Sequence, residues 1–164
     1  MFEILGGLLL ATAISGIIPL INAEILVVAA AASAPTVGVP LIAAASTVGQ
    51  MSTKTMLFIV ARWAPSRLPR KAQRALAKVS KAVEARGGAA GSLVFMSAAV
   101  GLPPFYGVSL ASGALGMRLS AFVVSGTAGR AVRFTVLAWA GRRFGEDALQ
   151  LISAQLSSVP FLGA

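Results

Sequence analysis

Two arginines stand one helical turn apart in an apolar stretch of the chain. Arg130 and Arg133 lie in TAGRAVRF (127–134), with AFVVSG before them and TVLAWAG after them. Arginine keeps its charge and offers a fork of donors that matches phosphate oxygens. An ionised side chain deep in a membrane costs roughly 3 kcal/mol or more, so such residues usually face a cavity and carry function. The pair therefore predicts a site for an anion, and a lipid phosphate suits such apolar surroundings.

Three further polar residues are expected to join this site. Lys54 lies in an apolar run with Gln50 beside it, and Tyr106 follows a proline break. Lys54 and the two arginines together carry three positive charges, and Glu24 carries one negative charge. We therefore expect an interior site with a net charge of +2, whose natural complement is an anion.

Glu24 is a candidate for proton coupling. Burial favours the neutral carboxylic acid, whereas a nearby cation favours the carboxylate. A carboxyl group held between these influences could take up and release a proton as the site alternates. The alternative is that Glu24 only neutralises one arginine, while the other cations extend along the chain to the membrane interfaces.

Enzymatic functions fit the composition poorly. The chain has no cysteine and no histidine, which excludes thiolate chemistry, imidazole metal sites and the usual activated nucleophiles. A Ser–Lys dyad using Lys54 is the remaining catalytic alternative. We expect a protein that is not an enzyme, with no metal and no cofactor.

The composition indicates a membrane protein. The chain has 164 residues, of which 57% are apolar and only 12% are charged, about half the charged share of a soluble domain. Its mean hydropathy is +0.84. Glu3 precedes the first apolar run, where a cleaved signal would carry basic residues. Four apolar zones follow one another, at 4–34, 36–61, 87–117 and 119–141.

Zones one and three each contain a proline break near the middle. The first is GIIP, which ends at Pro19, and the second is GLPP, which contains Gly101, Pro103 and Pro104. Each zone of about 30 residues is too long for one straight span of about 20 residues and too short for two. Proline interrupts a helix, so each zone is expected to form a re-entrant hairpin of two half-helices. The alternative is one long kinked helix in each zone.

The pattern of breaks and spans occurs twice. TVGQMSTKTMLFIVARW (47–63) aligns with TAGRAVRFTVLAWAGRR (127–143). A hairpin returns to its own side and a full span crosses, so the two units are inverted, as in many transporters. We expect one all-α integral membrane domain, an inverted repeat of re-entrant hairpin plus transmembrane helix. Its parts are repeat unit one (1–62), a linker helix (63–86), repeat unit two (87–143) and a C-terminal tail (144–164).

The segment 62–86 carries eight of the fourteen lysines and arginines. Such clusters mark short cytoplasmic loops, so we place this segment in the cytoplasm as an amphipathic helix on the inner leaflet. A solvated connector helix is the alternative. Nucleic acid is not expected as a partner, because the segment lacks the interleaved aromatic residues of a stacking surface.

Two of these stretches resemble the DedA family, also called the VTT-domain or SNARE-associated Golgi protein family. GIIPLINAEILVVAAA resembles the family's first re-entrant motif through Pro19 and Glu24. LPPFYGVSLASGALGMRLSAFVVSGTAGRAVRF resembles the second. The residues that match in this second stretch are Pro103, Gly113, Phe122, Gly129 and Arg130.

The resemblance implies a multi-pass protein of the bacterial plasma (inner) membrane that moves a phosphate-bearing lipid between leaflets. The implied substrates are a polyprenyl phosphate or a phospholipid, with proton coupling in some members. The chain departs from the family where Val100 and Tyr106 occupy the places of arginines that flank the second proline. A homodimer is compatible with so small a unit. The alternatives are an ion-coupled exporter of small molecules and a non-transporting membrane scaffold that acts through its basic helix.

Overall fold

The computed structural model describes residues 2–17, 22–63 and 90–157, without the side chains of Ile17 and 146–157. The regular secondary structure of the described residues is entirely helical, without a strand, which confirms the expected all-α class. They form six helices: α1 (Phe2–Ile17), α2 (Ala23–Ser33), α3 (Val39–Trp63), α4 (Ala90–Val100), α5 (Phe105–Ala114) and α6 (Leu119–Ser157). The predicted linker helix 63–86 lies outside the described residues except for Trp63, as does the end of the tail.

Each broken apolar zone forms two short helices. The first zone gives α1 and α2, and Asn22 caps α2 because its Oδ1 accepts a hydrogen bond of 2.9 Å from the Glu24 amide. Pro19 itself is outside the described residues. The third zone gives α4 and α5, which are separated at GLPP. Gly101 has a φ of +91° there, a conformation that glycine adopts without strain. Pro104 directly precedes α5.

The two remaining zones form long helices, α3 of 25 residues and α6 of 39 residues. α6 continues beyond Arg143, so the first part of the predicted tail 144–164 is an extension of this helix. The physical reason is local: no proline occurs between Leu119 and Ser157, and the glycines of this helix lie where it packs closely on its neighbours.

The helices of the two units pack in an exchanged arrangement. α1 lies along α3, and in the same way α4 lies along α6. α2 packs on α6 and α5 packs on α3, so the second short helix of each unit lies against the long helix of the other. α3 and α6 also pack on each other. The two halves of the chain therefore interlock around a central pair of long helices.

Matching glycines permit the closest helix approaches. A Cβ atom on Gly49 of α3 would lie 2.3 Å from the Leu9 carbonyl oxygen of α1. A Cβ atom on Gly129 of α6 would lie 2.6 Å from the Phe95 carbonyl oxygen of α4. The sequence alignment of 47–63 with 127–143 pairs these same two glycines, so equivalent residues serve equivalent contacts.

α3 buries several polar side chains together with part of its apolar surface, and it exposes other large apolar side chains. Ser46, Thr47, Gln50, Thr53 and Lys54 are buried. The opposite side carries large apolar residues that are 40% to 60% exposed: Val48, Met56, Ile59 and Val60. In α6, Val132, Val136 and Trp139 are likewise more than half exposed, while Arg130 is buried.

None of the helices in the described ranges combines the length and the hydropathy that a membrane crossing requires. The expected transmembrane spans in 36–61 and 119–141 thus have no support from this criterion. The composition gives the reason, because α3 contains Lys54 and Arg62 and α6 contains four arginines between Leu119 and Phe144.

Candidate functional site

Lys54 lies at the C-terminal end of α1. The long helix α3 carries it, and its Nζ donates a hydrogen bond of 2.9 Å to the carbonyl oxygen of Gly16. Thr53, the preceding residue, donates to the Ala13 carbonyl oxygen at 2.7 Å. The last carbonyls of a helix have no partner within it and carry the negative end of its dipole. A buried cation is therefore well compensated at this position.

The Tyr106 ring covers the same ammonium group. Lys54 Nζ lies 5.2 Å from the centre of this ring, within the range of a cation–π contact. Tyr106 is the second residue of α5 and is 39% exposed. The structure therefore brings together two of the residues that the sequence predicted for the substrate site.

Arg133 joins three elements. Its Nε donates a hydrogen bond of 3.0 Å to Glu24 Oε1, and its Nη2 forms the ion pair with the same oxygen. Its Nη1 donates to the Ala99 carbonyl oxygen at 2.9 Å, near the end of α4. A Cβ atom on Gly101 would lie 3.2 Å from this guanidinium group. Arg133 of α6 therefore links α2 to the end of α4.

Arg130 has a different environment from both other cations. It is 7% exposed. The centre of its guanidinium group lies 4.8 Å from the Phe105 ring centre and 5.6 Å from the Phe134 ring centre. Its buried Nε has no hydrogen-bond partner among the described residues. Such a group ordinarily finds a partner, so Arg130 retains capacity for an acceptor that the described chain does not supply.

The predicted charged residues form one electrostatic cluster. Arg130 repels Lys54, is repelled by Arg133 and is attracted by Glu24. Three positive charges and one negative charge give the cluster a net charge of +2. The single acid is already paired with Arg133, so an additional anion would meet an excess of positive charge.

Gln50 and Thr47 add unpaired polar atoms to the buried face of α3. Gln50 Nε2 donates to Ser15 Oγ at 3.4 Å, a long hydrogen bond, and Gln50 Oε1 has no partner among the described residues. Thr47 Oγ1 is also buried without a partner there. Gln50 aligns with Arg130 in the repeat, so the position is polar and incompletely bonded in both long helices.

The residues of the second break have structural contacts. Ser97 Oγ donates to the Pro103 carbonyl oxygen at 2.6 Å and ties the break to α4. Val100, which stands where the resembled family has an arginine, is 53% exposed. The break itself contributes no cation, and the guanidinium of Arg133 lies beside Gly101 instead.

Sequence reasoning missed the two phenylalanines around Arg130 and the role of Arg142. Phe134 follows Arg130 by four residues on one helix face, a spacing that could have indicated the contact, whereas Phe105 is brought there only by the fold. The sequence pattern does not predict the contacts of Arg142, because its partners lie on a distant helix. Its guanidinium donates to the carbonyl oxygens of Ala31, Ala34, Pro35 and Val37 at the end of α2.

In the described residues, no group of three His, Cys, Asp or Glu side chains could hold a metal ion. The arrangement can hold an anion next to aromatic rings, with one guanidinium edge unpaired. No family model matches the chain, and comparisons with curated proteins and with solved structures find no match. The resemblance to the DedA family therefore stays a prediction.

Proposed function

We propose that this chain is a membrane transporter that flips or scrambles an anionic, phosphate-bearing lipid between leaflets. The proposed substrate is a polyprenyl phosphate or a phospholipid, and the proposed location is the bacterial plasma membrane. The two halves would act as an inverted repeat with a re-entrant hairpin in each. The exchanged packing of α2 and α5 on the long helices supports this arrangement.

The observation that carries the proposal is the environment of Arg130. The guanidinium is buried between two aromatic rings, and its Nε lacks an acceptor in the described part of the chain. A buried charge without a partner is costly. A phosphate oxygen would supply the missing acceptor and the missing negative charge together.

The placement of polar and apolar residues supports a membrane setting. In water, large apolar side chains gain free energy by burial, yet α3 exposes Val48, Met56, Ile59 and Val60 while burying Gln50 and Lys54. Contiguous exposed apolar surface of this kind is typical of a protein or membrane interaction site. Polar residues inside and apolar residues outside suit a lipid surrounding and a polar pathway.

Glu24 supplies the proposed proton coupling. It is 38% exposed and holds Arg133 in an ion pair. Protonation of Glu24 would remove the counter-charge of Arg133 and raise the net charge of the cluster from +2 to +3. Anion affinity would then follow the protonation state, which is the linkage that coupled transport requires.

The deciding experiment measures leaflet exchange of labelled polyprenyl phosphate and labelled phosphatidylglycerol in proteoliposomes. We expect the wild-type chain to accelerate exchange, and we expect Arg130→Gln to lose most of this activity. Arg143→Gln is the matched control, since it removes one exposed arginine from the same helix and should leave exchange intact.

Two outcomes would contradict the proposal. Equal exchange by wild type and Arg130→Gln would show that Arg130 does not bind the moving phosphate. No exchange of either lipid by correctly inserted protein would favour a soluble anion first and the scaffold alternative second. If neutralising the basic residues of 67–81 abolished function while Arg130→Gln retained it, the result would support the scaffold alternative.

A further inference from the structure

A cationic pocket lies away from the Arg130 cluster, at the C-terminal end of α3. It has a volume of about 560 Å³. It is lined by residues at the end of α3 and around the start of α6: Phe58, Ile59, Arg62, Trp63, Arg118, Leu119 and Ser120. Nothing in the proposed mechanism uses this pocket.

The lining combines two chemistries. Ile59, Trp63 and Leu119 are large apolar residues at the surface, and Trp63 is 81% exposed. Phe58 is fully buried and stacks on Phe122 with ring centres 4.8 Å apart, so it forms a rigid floor. An apolar wall over a rigid aromatic floor is suited to a hydrocarbon chain.

The polar side of the pocket is cationic. Arg62 and Arg118 both line it, and none of its seven lining residues is acidic. Arg62 Nη1 donates to the carbonyl oxygen of Met117, the residue before Arg118, at 2.9 Å. Two arginines in one lining that contains no acid complement a phosphate and oppose a cationic head group.

We propose that this pocket binds the head group and upper chain of an anionic phospholipid at the membrane interface. Tryptophan and arginine are the side chains that favour this depth, and the pocket offers a cation pair beside an apolar wall. The inference deepens the proposed function and rests on its placement of the chain in a membrane. The pocket would hold the lipid before it reaches Arg130.

The smaller pocket at the other end of the bundle suits such a lipid less well. It has a volume of about 270 Å³ and is lined mainly by small or polar residues, including Ala32, Gly141, Gly145 and Arg143. Arg142 also lines it, but its guanidinium already donates to four carbonyl oxygens. Phe144 is the only large apolar residue in that lining.

The test uses the two tryptophans of the chain, Trp63 and Trp139. In the Trp139→Phe protein, fluorescence reports on Trp63 alone. We would reconstitute it in phosphatidylcholine vesicles that contain brominated phosphatidylglycerol or, at equal mole fraction, brominated phosphatidylcholine. We expect stronger quenching by the anionic lipid. One arginine near a membrane surface is worth roughly 1 kcal/mol, so Arg118→Gln should reduce this preference about fivefold.

Controls separate the pocket from general effects. In the Trp63→Phe protein, Arg118→Gln should leave quenching of Trp139 unchanged. Ser120→Asp is a second variant, because it adds a negative charge to the lining and should abolish the preference at Trp63. Inorganic phosphate should not displace the brominated anionic lipid if the apolar wall contributes to binding.

The inference would be overturned if Trp63 were quenched equally by the anionic and the zwitterionic brominated lipid. It would also be overturned if the stronger quenching by the anionic lipid survived both Arg118→Gln and Ser120→Asp, or if these changes reduced the quenching of Trp139 equally. Displacement by inorganic phosphate alone would also overturn it and indicate a site for free phosphate. If lipid exchange requires Arg130 but Trp63 shows no preference for the anionic lipid, only this inference is wrong. If Trp63 shows the preference but Arg130→Gln leaves lipid exchange unaffected, only the proposed function is wrong.

Discussion

Arg130 differs from its neighbours in what compensates its charge. Lys54 donates to a helix-terminal carbonyl, and Arg133 has both a carboxylate and a carbonyl as partners. Arg130 has two aromatic rings and an unpartnered Nε. Aromatic faces attract a guanidinium but cannot accept a hydrogen bond in the plane of its N–H groups. The Nε–H group of Arg130 therefore remains without an acceptor in the described part of the chain.

The Glu24–Arg133 pair predicts a pH dependence of exchange. Glu24→Gln removes the counter-charge of Arg133 and makes the cluster more positive, so this variant should exchange an anionic lipid faster than wild type. It should also lack the pH dependence that the proposed coupling through Glu24 would give. Because both side chains are partly exposed, the substitution should cost only about 1 kcal/mol of unfolding free energy. Exchange rates across a pH series, with denaturation midpoints, test both expectations.

Glu3→Gln is the control for this prediction. Glu3 is an exposed acid in the first turn of α1, and its removal changes the net charge by the same amount. It should keep the wild-type pH dependence. A Glu24→Gln protein with the same pH profile as wild type would exclude proton coupling through this carboxyl group.

At the scale of elements, the four short helices share one way of ending. Each has a cation from a long helix at or just beyond its C-terminal end, where unpaired carbonyls and the helix dipole favour positive charge. The pairs are Lys54 with α1, Arg142 with α2, Arg133 with α4, and Arg62 with Met117 after α5. Most of the interior and flanking cations therefore hold helices in place, which leaves Arg130 as the cation of the described cluster whose buried Nε has no acceptor among the described residues.

The close contact of α1 with α3 gives a prediction about stability. Gly49→Ala places a methyl group 2.3 Å from the Leu9 carbonyl oxygen, and backbone cannot yield as a flexible side chain does. We expect a loss of about 1–3 kcal/mol in unfolding free energy. Denaturant titration in detergent micelles, followed by circular dichroism, measures this loss.

Gly6→Ala provides the matched comparison in the same helix pair. A Cβ atom on Gly6 meets nothing within 4 Å, and alanine favours helix over glycine by up to about 1 kcal/mol. This variant should be as stable as wild type or more stable. If Gly49→Ala and Gly6→Ala changed the denaturation midpoint by the same amount, the contact between Gly49 and Leu9 would not limit the spacing of α1 and α3.

At the scale of the whole molecule, side-chain burial is reversed only in part relative to a protein folded in water, because a hydrophobic core is present but charged and polar side chains share the interior. The buried set includes Lys54, Arg130, Gln50 and several hydroxyl side chains, while Met56, Trp139 and other large apolar side chains are exposed. Burying polar groups is costly unless they are hydrogen-bonded. The exposed apolar side chains, in turn, need a surrounding that is itself apolar. Lipid provides it, as does an apolar partner surface.

This reversal predicts behaviour on extraction. The expressed chain should stay in the membrane pellet after washing with alkaline carbonate and should enter solution only with detergent. Val132→Lys together with Val136→Lys would place two cations on the exposed face of α6, and this pair should reduce the pelleted fraction severalfold because each lysine in hydrocarbon costs roughly 2.5–3.5 kcal/mol.

The same double change at Ala128 and Thr135 extends this test. Both residues are also exposed on α6, so their replacement by lysine should reduce the pelleted fraction as well if the whole outer face meets lipid. Release of the wild-type chain by carbonate alone would contradict a membrane location and would favour a partner surface as the cover for this face.

The sequence by itself determined the helical class, the break at GLPP and the polar residues available to an interior site. These follow from local rules: proline removes a donor, glycine permits a positive φ, and the order of apolar zones limits helix length. The sequence also predicted that Glu24 and the cations would share an interior site, because ionised residues in apolar segments usually face a cavity. It did not indicate that α6 continues to Ser157, since hydropathy falls after Gly141 while helix propensity does not.

Only the tertiary structure decided which cation is left without an acceptor. Lys54, Arg130 and Arg133 look alike as charges in apolar sequence, and their difference arises from partners distant along the chain: Gly16 for Lys54, and Glu24 for Arg133. Phe105 at the start of α5 reaches Arg130 of α6 only through the packing of the helices. Local patterns specify which groups must be compensated, whereas the packing of helices determines which group compensates which.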